Sequence, residues 1–215
     1  MVQSAREPAP AFGQTTVGKP VAEPPVQPDL TVADPAPLGL AAFALTTFVL
    51  SLANANVWHA TDGAVALALG YGGLAQLLAG MWEFKRNNTF GATAFSSYGA
   101  FWISYFVLAQ FILKSVPKAD VPGTVGTFLL AWGIFTLYMI VASLRVSGAV
   151  AGVFVLLTVT FFLLAIGNFE TSTGWIKAGG WFGVATAAVA WYASFAGVTN
   201  TTFKRVVLPV YPLAR

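Results

Sequence analysis

The chain has no cysteine and a single histidine in 215 residues. Disulfides, thiolate metal sites and iron–sulfur clusters are therefore excluded. One histidine, His59, cannot supply the paired imidazoles of a membrane haem, and no group of histidines and carboxylates could hold a metal. No cofactor is expected. Charge is also scarce, with charged residues at 9% and a formal net charge of +3, too little to point to nucleic acid. The shortage is most severe in six apolar runs, at 36–56, 64–84, 94–113, 124–144, 148–168 and 178–198. Besides tyrosines, Glu83 is the one ionisable side chain in all of them.

What the chain does have is hydrophobic surface: 57% of residues are hydrophobic and the mean hydropathy is +0.72. Each run is about 20 residues long, which at ~1.5 Å per helical residue matches a hydrocarbon core of ~30 Å. None carries the polar stripe of a soluble core helix. Backbone groups in lipid must bond within their own segment, so the reading is helical. The fold class is an all-α, multi-pass cell-membrane protein with six transmembrane helices per protomer. Residues 34–205 form the membrane domain, between tails at 1–33 and 206–215.

The tail at 1–33 holds half of the 12 prolines and a lone aromatic, Phe12. Such a segment buries too little apolar surface to offset its ordering entropy and is read as disordered. It has no apolar run of a cleavable signal peptide, so the first span serves as the targeting signal. With the two tails and the second and fourth loops on one side, that side holds eight Lys and Arg against three on the other. The excess puts both termini in the cytoplasm. Trp58, Trp82, Trp175 and Trp181 lie near span ends, as interfacial anchors do. Small residues four apart (Ala66/Gly70, Gly148/Gly152, Gly179/Gly183) suit close helix packing in lipid. Asp34-Pro35 before the first span is echoed by Asp120-Val121-Pro122 before the fourth. A 3+3 repeat related in this way would be inverted.

The spans offer little for catalysis, so an enzyme is not expected. Glu83 stands at the end of its span, and His59 lies in a loop. What remains is neutral and polar, densest at 87–99, where two readings stay open. One is irregular backbone lining a cavity, with a helix start aimed at an anion; the other is a slightly polar helix end. A path of hydroxyls, amides and rings favours small solutes with few charges, such as a weak acid moving with its proton. A membrane scaffold whose tail binds a partner is the reading from another class.

Several blocks then resemble one family. They are Pro35-Ala36-Pro37-Leu38-Gly39-Leu40 with Phe43, Thr46 and Thr47, then residues 71–76, then residues 88–99. They continue with 132–137, 163–168 and Val207-Leu208-Pro209. Together they look like the acetate/succinate transporter family of bacteria, archaea and fungi, of the GPR1/FUN34/YaaH type. The resemblance implies a ring-shaped homohexamer of six-helix protomers, each with its own path for acetate and related short carboxylates, coupled to a proton. It puts a constriction on Phe43, Tyr98 and Leu157. Thr47, Asn54 and Gln76 are added here as path-lining polar groups, and Ala190 as a small residue setting solute size. A channel for ammonia, ammonium or another small neutral solute is the alternative, since fungal relatives have been linked to ammonium export. The family's signature normally opens Asn-Pro, where this chain has Asp34-Pro35.

Overall fold

A computed structural model describes residues 32–58 and 61–213. The tail through Thr31, His59 and Arg215 lie outside the described residues. Among the described residues, six helices are long and apolar enough to cross a membrane: α1 Ala36–Asn54, α2 Thr61–Lys85, α3 Thr89–Ile112, α4 Val121–Ser143, α5 Gly148–Phe169 and α6 Thr173–Phe203. Short connections reverse the chain between them, so α1, α3 and α5 begin at the end where α2, α4 and α6 finish. Lys85, Arg86, Arg145, Lys204 and Arg205 collect at that end, and Lys114, Lys118 and Lys177 at the other.

Five of the six helices outrun the expected spans, and α1 falls two residues short of its own. α3 starts at Thr89 rather than 94, because Asn88 caps it: its Oδ1 accepts the Gly91 N–H at 3.1 Å. The dense polar stretch is therefore regular helix from its first turn, which corrects the irregular-backbone reading. α5 is capped in the same way by Ser147, whose Oγ accepts from Val150 N. Prolines stand at the first turns of α1 and α4, where a missing N–H costs nothing. Asp34 Oδ1 takes the Ala36 N–H and also pairs with the Arg86 guanidinium.

That ion pair is more than a third exposed on both sides, at 35% and 39%. Exposed pairs contribute at most about 1 kcal/mol. Asp34→Asn keeps an oxygen for Ala36, so thermal unfolding in detergent should shift by less than about 1 kcal/mol. A larger loss would mean that the charge itself anchors the first helix.

The bundle is held by small residues. Ala42, Ala44, Ala64, Ala68, Ala92, Ala187 and Ala196 are all fully buried, which lets backbones approach and maximises van der Waals contact in lipid. α1 packs against α6, α6 against α5, α5 against α4, and α2 lies on α3 and α1. The closest approach to a neighbouring segment's backbone is at Gly180, where an added Cβ would lie 2.3 Å from Ala55 N. Gly179 and Gly183 face Leu164 and Ser51 in the same tight manner. The Ala66/Gly70 pair is different: both residues face outward, and nothing lies within 4 Å of a Cβ at Gly70.

Two helices contain π-helical turns, Gly70–Ala75 in α2 and Leu108–Ile112 in α3. The wider turn re-phases the rest of the helix. In α2 this puts Gln76, Gly80 and Glu83 on one inward face, four and three residues apart. Residues 206–213 form a strap folded back on the bundle. Asn200 Oδ1 accepts from Val207 N and Leu208 N, the Tyr192 hydroxyl donates to Pro209 O at 2.6 Å, and Tyr211 O accepts from Gly148 N.

Candidate functional site

Hydroxyls in an apolar helix bond first to the carbonyl four residues back, because no water competes. Thr46, Thr136, Thr158, Thr160 and Thr186 all do so, at 2.7–3.0 Å, and are removed from contention as free solute ligands. Among the described residues, five buried side-chain polar atoms find no protein partner: Thr47 Oγ1, Gln76 Oε1, Glu83 Oε1, Ser96 Oγ and Trp102 Nε1. Buried polar groups are normally satisfied, so each such atom asks for an explanation. Four of the five line two cavities, one toward each end of the bundle.

The wider cavity measures about 260 Å³. Thr47, Ser51, Asn54, Trp102 and Asn168 are among its lining residues, between walls of leucine and aromatic side chains. The narrower cavity measures about 80 Å³ and holds Gln76, Glu83 and Asn88 between the starts of α1, α3 and α5. A single water needs ~10–15 Å³ of such space, so even the narrower one accommodates a small solute. Phe43 and Leu157 border both cavities, and Tyr98 borders the narrower one beside them. These three are 4%, 3% and 3% exposed and touch in one cluster, so they form the partition between the two spaces.

Packing stiffens that partition. The Phe43 and Tyr98 rings stand 5.6 Å apart, and Tyr98 also meets Phe135 at 5.5 Å and Phe154 at 6.0 Å. The Tyr98 hydroxyl is tied to Thr136 Oγ1 at 2.9 Å, and Thr136 donates onward to Trp132 O. Phe43 and Leu157 face both cavities, whereas Tyr98 is anchored from behind. The arrangement is an hourglass with polar atoms on both sides of an apolar waist.

Residues 16–215 match the family described as GPR1/FUN34/yaaH. The chain belongs to this family. Acetate permease A of Emericella nidulans is 42% identical over 83% of this chain. The succinate-acetate/proton symporter SatP of Escherichia coli is likewise 42% identical over 83% of the chain, and the match spans 95% of SatP. A solved structure titled as that of the bacterial acetate channel SatP superposes with a TM-score of 0.80 at 39% identity, covering 84% of this chain and 99% of that one. The chain spans 65–66% of the length of two fungal relatives, acetate permease A and the Saccharomyces cerevisiae protein named accumulation of dyads protein 2.

Within this GPR1/FUN34/yaaH protein, the residues singled out from sequence fall unequally. Phe43, Tyr98 and Leu157 come together at the waist. Thr47 and Asn54 line the wider cavity and Gln76 the narrower one. Ala190 is fully buried in the cluster that contains the waist, but lines neither cavity. Trp102 was not singled out, because an indole in the middle of a span reads as packing; its unpartnered N–H is visible only in three dimensions. Glu83 was read as a span-end residue. It does sit two residues from the end of α2, yet the re-phased helix turns it inward and it is 0% exposed.

Proposed function

We propose that this chain is a transporter or channel through which acetate and related short carboxylates cross the cell membrane, accompanied by a proton. The observation that carries the reading is the pair of cavities meeting at a shared apolar waist, with unpartnered polar atoms on each side. The wider cavity offers donors, the Thr47 hydroxyl and the Trp102 N–H, which suit a carboxylate. The waist admits a methyl group and rejects hydrated cations, because the rings and Leu157 replace none of an ion's water. Membership of a family that includes proteins named acetate permease and succinate-acetate/proton symporter supports the same solute class.

The working unit in this reading is a ring of six protomers, each with its own path, and the protomer is built as a 3+3 inverted repeat. The matching proline-bearing starts of α1 and α4 support the repeat. Both termini face the cytoplasm, as the excess of Lys and Arg at that end argues. Purified protein in proteoliposomes tests the function: labelled acetate should enter faster than into empty vesicles, and faster still with an inward proton gradient. Uptake no faster than into empty vesicles contradicts it. Excess ammonium should leave acetate uptake unchanged; strong competition would favour the ammonium reading instead.

A further inference from the structure

We propose that Glu83 is the residue that exchanges a proton with the passing carboxylate. The inference rests on the acetate-transport reading and adds the group that carries its proton. Among the residues lining the narrower cavity Glu83 is the single acid, and none is a base. It is wholly buried, and its Oε1 has no protein partner.

The surroundings hold this carboxyl in a fixed pose while leaving one oxygen open. Asn88 Oδ1 is committed to the α3 cap, so its amide nitrogen must point the other way. That nitrogen donates to Glu83 Oε2 at 2.9 Å. Gly91 then supplies the room: a Cβ there would stand 2.9 Å from Oε1 and 2.8 Å from the carboxyl carbon. The charged groups near it are Asp34, ahead of α1, and Arg86, after α2, and these two pair with each other. From α3 the Tyr98 hydroxyl is already tied to Thr136, and α5 contributes only apolar residues to the lining. No cation therefore neutralises Glu83 from within the cavity.

Two carboxylates confined together in a cavity of about 80 Å³ cannot both remain ionised. A solute anion passing the waist meets Glu83 in its acid form. The O–H bond at Oε1 breaks as an O–H bond forms on the solute oxygen, and the neutral acid moves on. The carboxylate left behind keeps the Asn88 amide on Oε2 and faces the positive end of α3. It is reprotonated by hydronium that arrives from the side the anion came from, by way of the wider cavity, so solute and proton cross together. The steps run equally well in reverse.

The test compares initial acetate uptake into proteoliposomes, above empty vesicles, across external pH. The wild-type rate should rise as pH falls, approaching tenfold per pH unit on the alkaline side of its midpoint and levelling off below it, as one proton per solute requires. In Glu83→Gln, of nearly the same shape, uptake should lose that pH response. A Glu83→Gln profile matching the wild type overturns the inference and leaves acetate transport standing. A wild type with no uptake above empty vesicles overturns the transport reading, and this one with it. Asn88→Ser carries the test if Glu83→Gln does not fold or conducts nothing. Serine still caps α3 but cannot donate to Oε2. Its uptake midpoint should move to higher pH by on the order of one unit; an unmoved midpoint also overturns the proposal.

Discussion

Leu157→Ala should raise the ratio of propionate to acetate uptake by roughly tenfold, because one methylene at an apolar constriction is worth about that factor. Leu157 borders both cavities, and its side chain is the aliphatic member of a waist otherwise made of rings. Truncation removes the branched end and leaves Phe43 and Tyr98 where they are, since Tyr98 is held by Thr136 and by Phe135 and Phe154 behind it. The cost is lost packing, on the order of 2–5 kcal/mol for a buried leucine, so the comparison belongs on folded, monodisperse protein. Labelled propionate and acetate, measured on the same vesicles, give the ratio directly. An unchanged ratio in intact protein means that solutes do not pass this residue.

Gly80→Ala should lower acetate uptake by roughly a hundredfold, corresponding to overpacking of up to about 3 kcal/mol. Gly80 lies between Gln76 and Glu83 on the inward face of α2. A Cβ there would stand 2.3 Å from Ser96 Oγ and 2.4 Å from Ser96 N. A side chain could rotate away, but a backbone nitrogen in the middle of α3 cannot. The two helices must separate, which pulls Gln76 and Glu83 out of the narrower cavity. Gly70→Ala is the matched comparison. It makes the same change in the same helix with nothing within 4 Å, and alanine favours the helix by up to about 1 kcal/mol. Equal uptake by the two variants would show that contact between α2 and α3 does not position the path.

The fold was legible because lipid simplifies the rules. With water excluded, each backbone group must bond locally, so an uncharged run of the right length reads as a spanning helix. The boundaries were less legible. Thr89 to Thr93 is polar enough to look like loop, but Asn88 satisfies the first turn and the helix runs through it. The site was half legible. Phe43, Tyr98 and Leu157 stood out by resemblance to a family, not by any property of an aromatic or a leucine in an apolar span. Glu83 was visible as the one acid in a span, yet its inward aim depends on the π-helical turn at Gly70–Ala75. A uniform 3.6-residue repeat does not reveal such a shift of phase. Trp102 carried no signal, since packing and solute contact call for the same side chain.

The central claim is that solute passes between Phe43, Tyr98 and Leu157, and the absence of cysteine makes it directly testable. In Leu157→Cys the introduced thiol is the sole thiol in the chain. Iodoacetate, a two-carbon carboxylate that alkylates thiols, should label it, acetate should slow the labelling, and labelled protein should stop taking up acetate. Labelling at the same rate with and without saturating acetate, together with uptake that survives complete alkylation, would put the route elsewhere.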